Sequence, residues 1–274
     1  MNNEIKQIVQ LAISEDVGRG DLTSALLENK MIEAEIICKE NAVICGKEFV
    51  NLCFNLIDPK IQIKWNIEDG SSVSSGQILC SIRGFAKTIV TAERVSLNFL
   101  QILSSTSTKT SELVQLIRGT NAKLLDTRKT IPGLRRAQKH AVKCGGGVNH
   151  RMGLYDCIML KENHILAIGS LEVLVRNAVS MFPDMPIIVE VESLDELRTA
   201  LSIKDITRIL CDNFSLEDLK EAVKLSRGIY PIEASGGINE TNIMDHAETG
   251  VDFISIGSIT KNVKSIDLSL RFVS

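Results

Sequence analysis

"PIIVEVESLDELRTALSIKDITRILCDNFS", residues 186–215, holds two short apolar runs, "PIIVEV" (186–191) and "RILCD" (208–212), with a helical-looking segment between them. Each run is apolar almost without interruption. That is the pattern of a strand buried on both faces of a parallel sheet, whereas a strand with one wet face would alternate. The same unit recurs on either side, with runs at "KLLD" (123–126), "CIML" (157–160), "YPIEA" (230–234) and "DFISIG" (252–257). From about Lys123 onward the chain therefore reads as α/β.

The residues that close these runs are chemically capable: Arg128 and Lys129, Lys161, Glu190 and Glu192, Asp212, Glu233 and Ser235, then Gly257 and Ser258. In a (β/α) barrel the C-terminal strand ends carry the active site, so six strands ending this way point to one shared pocket. From Lys123 to Ser274 there are 152 residues, whereas a complete eight-stranded barrel takes about 250. A doubly wound sheet would place a G-x-G-x-x-G loop after its first strand, and the residues after "KLLD" do not read that way. The expected fold is an incomplete barrel.

The first hundred residues differ. "AEIICKENAVICG" (34–46), "IQIKWNIEDG" (61–70) and "QILCSIRG" (77–84) look like strands separated by turns, with helices at 3–14 and 47–56. Residues 88–117 are apolar at helical spacing through Val95, Phe99, Ile102 and Leu103, and form a helical bridge. The expected division is a first domain over 1–105 and a barrel over 106–274, with the C-terminal tail packing back on the first domain.

The formal net charge of the 274 residues is −3 and 44% are hydrophobic. That balance argues against a nucleic-acid binder, which needs unpaired basic charge spread over a face. The start, "MNNEIKQIVQLAISED", has no signal-peptide core, and no apolar run approaches a membrane span, so a cytoplasmic protein without membrane contact is expected. Seven cysteines, none in a C-x-x-C pair, read as reduced and mostly buried thiols. A zinc site from Cys144 and His150 is not expected, because no second close pair of soft ligands accompanies them.

Against this background residues 126–151, "DTRKTIPGLRRAQKHAVKCGGGVNHR", concentrate seven Lys or Arg and two His beside one acid. Such a local excess suits a small, multiply charged anion. Arg128 offers a planar fork and Lys129 a movable point charge, and on an extended backbone they would reach two different anions. The glycines of "CGGGVNHR" (144–151) read as a hinge that folds His150 and Arg151 over an anion. Lys161 is a partner for a substrate carboxylate or a Schiff-base nucleophile; His164 reads as a helix-start residue. Glu190, Glu192 and Asp212 can face ribose hydroxyls, hold Mg²⁺ and stabilise positive charge on a sugar. "EASGGI" (233–238) and "SIGSI" (255–259) present backbone N–H groups to a phosphate. Together these residues describe a substrate pair, one member bearing carboxylates and the other a phosphorylated sugar.

Nine segments in order resemble the quinolinate phosphoribosyltransferase family: "EDVGRGDLTS" (15–24), "TAERVSLNFLQ" (91–101), "DTRKTIPGLR" (126–135), "GGGVNHRMGLYD" (145–156), "LKENH" (160–164), "VEVESLDEL" (189–197), "CDNF" (211–214), "EASGGI" (233–238) and "GVDFISIGSIT" (250–260). The resemblance implies an N-terminal α/β sandwich and a seven-stranded incomplete (β/α) barrel. It also implies the reaction of quinolinate with 5-phosphoribosyl-1-pyrophosphate to nicotinate mononucleotide, pyrophosphate and CO₂, with Mg²⁺, in de novo NAD synthesis. Carried over by position, Arg128, His150, Arg151 and Lys161 would line the quinolinate site, and Arg94 would be lent by a neighbouring subunit. A homodimer is then the smallest competent unit, with a hexamer left open. Lys129 would lie between the substrates and act with Glu190 and Asp212, which would face ribose and metal. Ser235, Gly236, Gly237, Gly257 and Ser258 would receive a phosphate. After "GSIT" many relatives have His-Ser where this chain has Lys261 and Asn262, so a cation is retained there. Three alternatives stand beside this reading: a phosphoribosyltransferase-like protein of molybdate systems acting on another acid, a Schiff-base aldolase using Lys161, and a non-catalytic anion-binding module, which would leave Glu190 and Asp212 idle.

Overall fold

Continuous apolar runs become strands at all six places where the chain repeats them. The computed structural model describes residues 2–273. In chain order α1 (Asn2–Val17), β1 (Met31–Cys38), β2 (Ala42–Val43), α2 (Lys47–Ile57), β3 (Gln62–Trp65), β4 (Ser72–Val73), β5 (Ile78–Phe85) and α3 (Ala86–Leu116) come first. There follow β6 (Lys123–Leu125), α4 (Arg135–Cys144), β7 (Ile158–Leu160), α5 (Glu162–Ile168), α6 (Leu171–Met181), β8 (Ile187–Val191), α7 (Leu194–Leu201) and β9 (Arg208–Asp212). The chain closes with α8 (Leu216–Ser226), β10 (Ile232–Ser235), α9 (Ile243–Glu248), β11 (Phe253–Ser255), α10 (Ser258–Lys261) and β12 (Leu268–Phe272).

Two compact units result, and neither is a continuous stretch. The first comprises Met1–Lys109, Pro132–Gly145 and Asn262–Ser274; the second comprises Thr110–Ile131 and Gly146–Lys261. The expected boundary at 105/106 lies inside α3, four residues before the first switch at Lys109.

In the first unit an antiparallel sheet runs in the order β12-β1-β5-β3. β1 alternates, burying Ala34, Ile36 and Cys38, while Glu33 and Glu35 face outward. The register sets Glu33 opposite Arg83 and Glu35 opposite Arg271, so opposite charges meet across both neighbours of this strand. Phe54, Leu79, Ile82, Ile89 and Leu100 pack with the inner face in one apolar core. A second cluster gathers Val9, Cys45, Phe49, Cys53, Phe99 and Ala141, with the Phe49 and Phe99 rings 4.9 Å apart.

In the second unit six parallel strands are ordered β6-β11-β10-β9-β8-β7. Val148 adds a single parallel bridge to Leu125 beyond β6, so the seventh strand is reduced to one bridging residue. The strands thus follow one another around an arc that opens between Val148 and β7, which is the incomplete barrel expected. Helices follow the strands because their starts are well capped: Ser170, Ser193 and Ser215 hydroxyls accept from the N–H groups of Val173, Glu196 and Asp218. Among the described residues no single helix is long and apolar enough to cross a bilayer.

Candidate active site

The barrel interior is not wholly apolar. Cys157, Met159, Ile188 and Leu210 pack together there, but Glu233 on β10 is fully buried as well. Arg208 Nε stands 3.0 Å from Glu233 Oε2, and His150 Nε2 stands 3.4 Å from Oε1. Neither contact is aligned as a hydrogen bond, so charge proximity holds Arg208 to Glu233 while the His150 ring lies alongside the carboxylate. The Arg208 guanidinium also lies 4.7 Å from the centre of the Phe253 ring, which covers its face. This charged layer forms a floor one residue pair below the strand ends.

His150 is fixed from several sides. Its backbone N–H donates to Asp126 Oδ1 at 2.8 Å, and the Asn149 amide donates to Oδ2 of the same buried carboxylate at 2.6 Å. Its Nδ1 accepts from the Arg151 N–H at 2.7 Å, which leaves the ring proton on Nε2, facing Glu233. The segment after the glycine run is anchored at Val148. Val148 N–H donates to Leu124 O at 2.8 Å and Val148 O accepts from Asp126 N–H at 3.2 Å, so the chain after the glycines is bridged to β6 at this residue. Gly146 has φ +87°, a conformation open to glycine at little cost, and this turns the chain out of α4.

Above the floor the cations sort into two groups. β6 ends at Leu125, so Arg128 and Lys129 lie beyond the regular strand. Arg128 faces Arg151. Burial first, and then that neighbouring guanidinium, push Arg151 below the ordinary arginine range. Arg151 Nη1 donates to Cys157 O at 3.2 Å, which fixes its position from below. Lys161 Nζ donates to both oxygens of Glu190, at 2.8 and 2.6 Å. An amine engaged on both oxygens of a carboxylate is placed as a charge partner and is not presented as a Schiff-base nucleophile. His164 Nδ1 accepts from the Lys161 N–H at 3.1 Å, which gives it the helix-start role expected.

Lys129 belongs to the second group. It lines a cavity of about 340 Å³ together with Asp212, Ser235, Gly236, Gly237 and Lys261, and Gly257 and Ser258 belong to the same wall. Two glycines are sterically required. A Cβ at Gly236, where φ is +101°, would overlap the Asn213 side chain. A Cβ at Gly257 would come within 2.8 Å of Lys129 Cδ, so Gly257 is what lets Lys129 run along the cavity wall. Thr260 Oγ1 donates to Lys129 O at 2.8 Å and Thr127 Oγ1 accepts from Lys129 N–H at 3.1 Å, anchoring its backbone.

Between the two groups stand the carboxylates. Single oxygens of Glu190, Glu192 and Asp212 lie within 4.8 Å of one another. Three hard oxygen donors at that spacing fit a Mg²⁺ ion that keeps part of its water shell. Asn213 Nδ2 donates to Asp212 Oδ2 at 3.0 Å and thereby orients it. The second unit therefore brings together Arg128, Lys129, His150, Arg151, Lys161, Glu190, Asp212, Ser235, Gly236, Gly237, Gly257 and Ser258. Arg94 lies elsewhere, exposed on α3 within the first unit.

Four residues escaped the sequence reading as parts of this site: Asp126, Arg208, Glu233 and Asn213. Glu233 stood among the strand-end groups without a role. Asn213 carried a usable signal, because an Asn directly after a strand-closing Asp suits the left-handed turn it adopts at φ +56°.

Models of the quinolinate phosphoribosyl transferase N-terminal and C-terminal domains match residues 21–104 and 106–271. The chain is 37% identical over 270 residues to a probable nicotinate-nucleotide pyrophosphorylase (carboxylating) of Bacillus subtilis strain 168, covering 97% of this chain and 93% of that one. It is 36% identical over 289 residues to the mitochondrial quinolinate phosphoribosyltransferase (decarboxylating) 2 of Nicotiana glauca, covering 98% and 82%. The solved nicotinate-nucleotide pyrophosphorylase from Francisella tularensis superposes with a TM-score of 0.98 at 44% identity, covering 100% of this chain and 97% of that one.

Proposed function

From the premise that this chain belongs to the quinolinate phosphoribosyl transferase family, we propose how the groups at its barrel mouth divide the work. The enzyme transfers the phosphoribosyl group of 5-phosphoribosyl-1-pyrophosphate to quinolinate, with decarboxylation, giving nicotinate mononucleotide, pyrophosphate and CO₂ in de novo NAD biosynthesis. One observation carries the assignment of roles: the Arg128 guanidinium stands near enough to Arg151 to push it below the ordinary arginine range, while the next residue, Lys129, enters a glycine- and serine-lined cavity. Two neighbouring guanidiniums suit a dianion, and quinolinate brings two carboxylates.

Arg128, Arg151, His150 and Lys161 receive quinolinate, with Arg94 contributed by a second subunit of a homodimer. Ser235, Gly236, Gly237, Gly257 and Ser258 receive a phosphate of the second substrate, and Lys261 adds charge at that wall. Glu190 and Asp212 face the ribose. As pyrophosphate departs, the ribose carbon gains oxocarbenium character, which these fixed carboxylates stabilise while Lys129 balances the leaving charge. Loss of CO₂ leaves an electron pair on the adjacent ring carbon, which the positive pyridinium nitrogen formed by the transfer stabilises until that carbon takes up a proton, so no covalent nucleophile is required. Mg²⁺ held by Glu190 and Asp212, with Glu192 adjacent, would neutralise pyrophosphate charge. Glu190 then serves both the ion and Lys161. A cytoplasmic location completes the proposal.

The test is incubation with quinolinate, phosphoribosyl pyrophosphate and Mg²⁺, following nicotinate mononucleotide and CO₂ together, with nicotinate as the competing acid. Both products from quinolinate alone are expected. Equal turnover of nicotinate would remove the two guanidiniums from carboxylate recognition.

A further inference from the structure

The first unit carries a cluster that the reaction does not use. His140 and Cys144 lie one turn apart on α4 and so share a face, and the chain folds Cys45, from the segment between β2 and α2, against them. One ligand atom from each of the three lies within 4.8 Å of the other two. Cys144 Sγ is 3.5 Å from His140 Nε2, and Asp69 Oδ2 is 3.4 Å from the same nitrogen.

We propose that Cys45, His140 and Cys144 form a binding site for a borderline-soft divalent ion of the Zn²⁺ class, with Asp69 beside the fourth position. Two thiolates, one imidazole and an adjacent carboxylate are a donor set that selects such an ion over Mg²⁺. The spacing agrees. With Zn–S of about 2.3 Å and Zn–N of about 2.0–2.1 Å, tetrahedral angles set sulfur and nitrogen roughly 3.5 Å apart, and nitrogen and oxygen roughly 3.4 Å.

The donors are also held in advance. Cys45 N–H donates to Ser104 Oγ at 3.0 Å, and that hydroxyl donates back to Cys45 O at 3.2 Å. Asp69 Oδ1 accepts from the N–H groups of Gly46 and Lys47 at the start of α2, which leaves Oδ2 toward the histidine. Val9, Phe49, Cys53 and Phe99 form an apolar shell around Cys45, while His140 is half exposed and gives the ion a way in. A Cβ at Gly70 would touch the Cys144 carbonyl at 3.4 Å, so the turn beside Asp69 fits closely against the end of α4.

The test uses full-length, untagged, reduced protein, stripped with a chelator and titrated with Co²⁺ and then Zn²⁺. One equivalent of Co²⁺ per chain is expected to give a thiolate-to-cobalt charge-transfer band and the intense visible bands of a tetrahedral ion, with Zn²⁺ displacing it. Cys45→Ser and Cys144→Ser should each weaken cobalt binding at least about tenfold and reduce the charge-transfer band. The exposed His140→Gln leaves the core intact and should cost a similar factor, so misfolding of a cysteine variant cannot decide the matter. A folded, reduced wild type without the charge-transfer band overturns the proposal. Unchanged cobalt affinity in His140→Gln does so as well. Phosphoribosyl transfer is measured in parallel, and its presence or absence bears only on the barrel mouth.

Discussion

The two compact units carry donor sets of opposite character. The barrel unit gathers hard oxygens, Glu190, Glu192 and Asp212, among guanidinium and ammonium groups. The sandwich unit gathers sulfur and imidazole, Cys45, His140 and Cys144, under an apolar cluster. They differ below those sites too. The sandwich sheet rests on an uncharged core around Phe54, Leu79 and Ile82, whereas the barrel runs an Arg208–Glu233–His150 layer through its interior. A charged floor costs desolvation, but it fixes the orientation of the imidazole at the mouth; an apolar floor contributes only packing. Charge should therefore govern the effects of substitution in the barrel, and volume those in the sandwich.

The sharpest way to break that contrast is Glu233→Ala. It leaves Arg208 buried beside an empty place and should cost about 3–5 kcal/mol in urea unfolding. Phe54→Ala in the sandwich core should cost about as much by cavity formation alone. Converting Arg208 and Glu233 together to apolar residues of similar volume should recover most of the barrel loss, whereas no charge change rescues Phe54→Ala. Failure of the double replacement to recover stability would show that the layer is not primarily electrostatic.

Arg128→Ala comes next, with kcat/KM expected to fall about 10²–10³-fold at nearly unchanged thermal stability. Retained activity would remove Arg128 from the site.

Gly257→Ala is subtler. The added methyl pushes Lys129 off the cavity wall and meets chiefly its flexible stem, with Thr127 Oγ1 at 3.3 Å, so kcat/KM should fall about tenfold while Tm moves by only a few degrees. A large loss of Tm would mean that the backbone, not the lysine, yields.

The smallest effect probes the sandwich. In metal-free protein the iodoacetamide reactivity of Cys144 should stay flat above about pH 6, because its thiolate forms near pH 5. An ordinary thiol would gain about tenfold per pH unit up to about 8. A rising profile would mean that Cys45 and His140 do not hold the thiolate.

The barrel was legible because its evidence is local. Each strand is a short apolar run, the chemistry lies just past the end of the run, and nothing distant is needed to read either. Arg208 and Glu233 were not legible as a pair. Arg208 opens its strand and Glu233 is the second residue of its own, so each reads as a polar edge until the register sets Glu233 opposite Leu210, one turn of the pleat above Arg208. The sulfur cluster was hidden for a different reason. Cys45 lies far from His140 and Cys144 along the chain, and spacing rules detect only ligands that come in close pairs. Cys144 and His150, which the sequence invited one to pair, serve different groups: His150 faces Glu233 and Cys144 faces His140.

The first unit is assembled from three separate stretches of chain, and its outer strand β12 pairs with β1. During synthesis β1 emerges early, while its partner is still more than two hundred residues from being made. At about 5–20 residues per second that interval is of order ten seconds or longer. Throughout it one edge of β1 offers unpaired N–H and C=O groups to any extended segment nearby. The nascent sandwich is thus a natural client for factors that shield exposed strand edges, and its maturation is timed by arrival of the last strand rather than by collapse of the first.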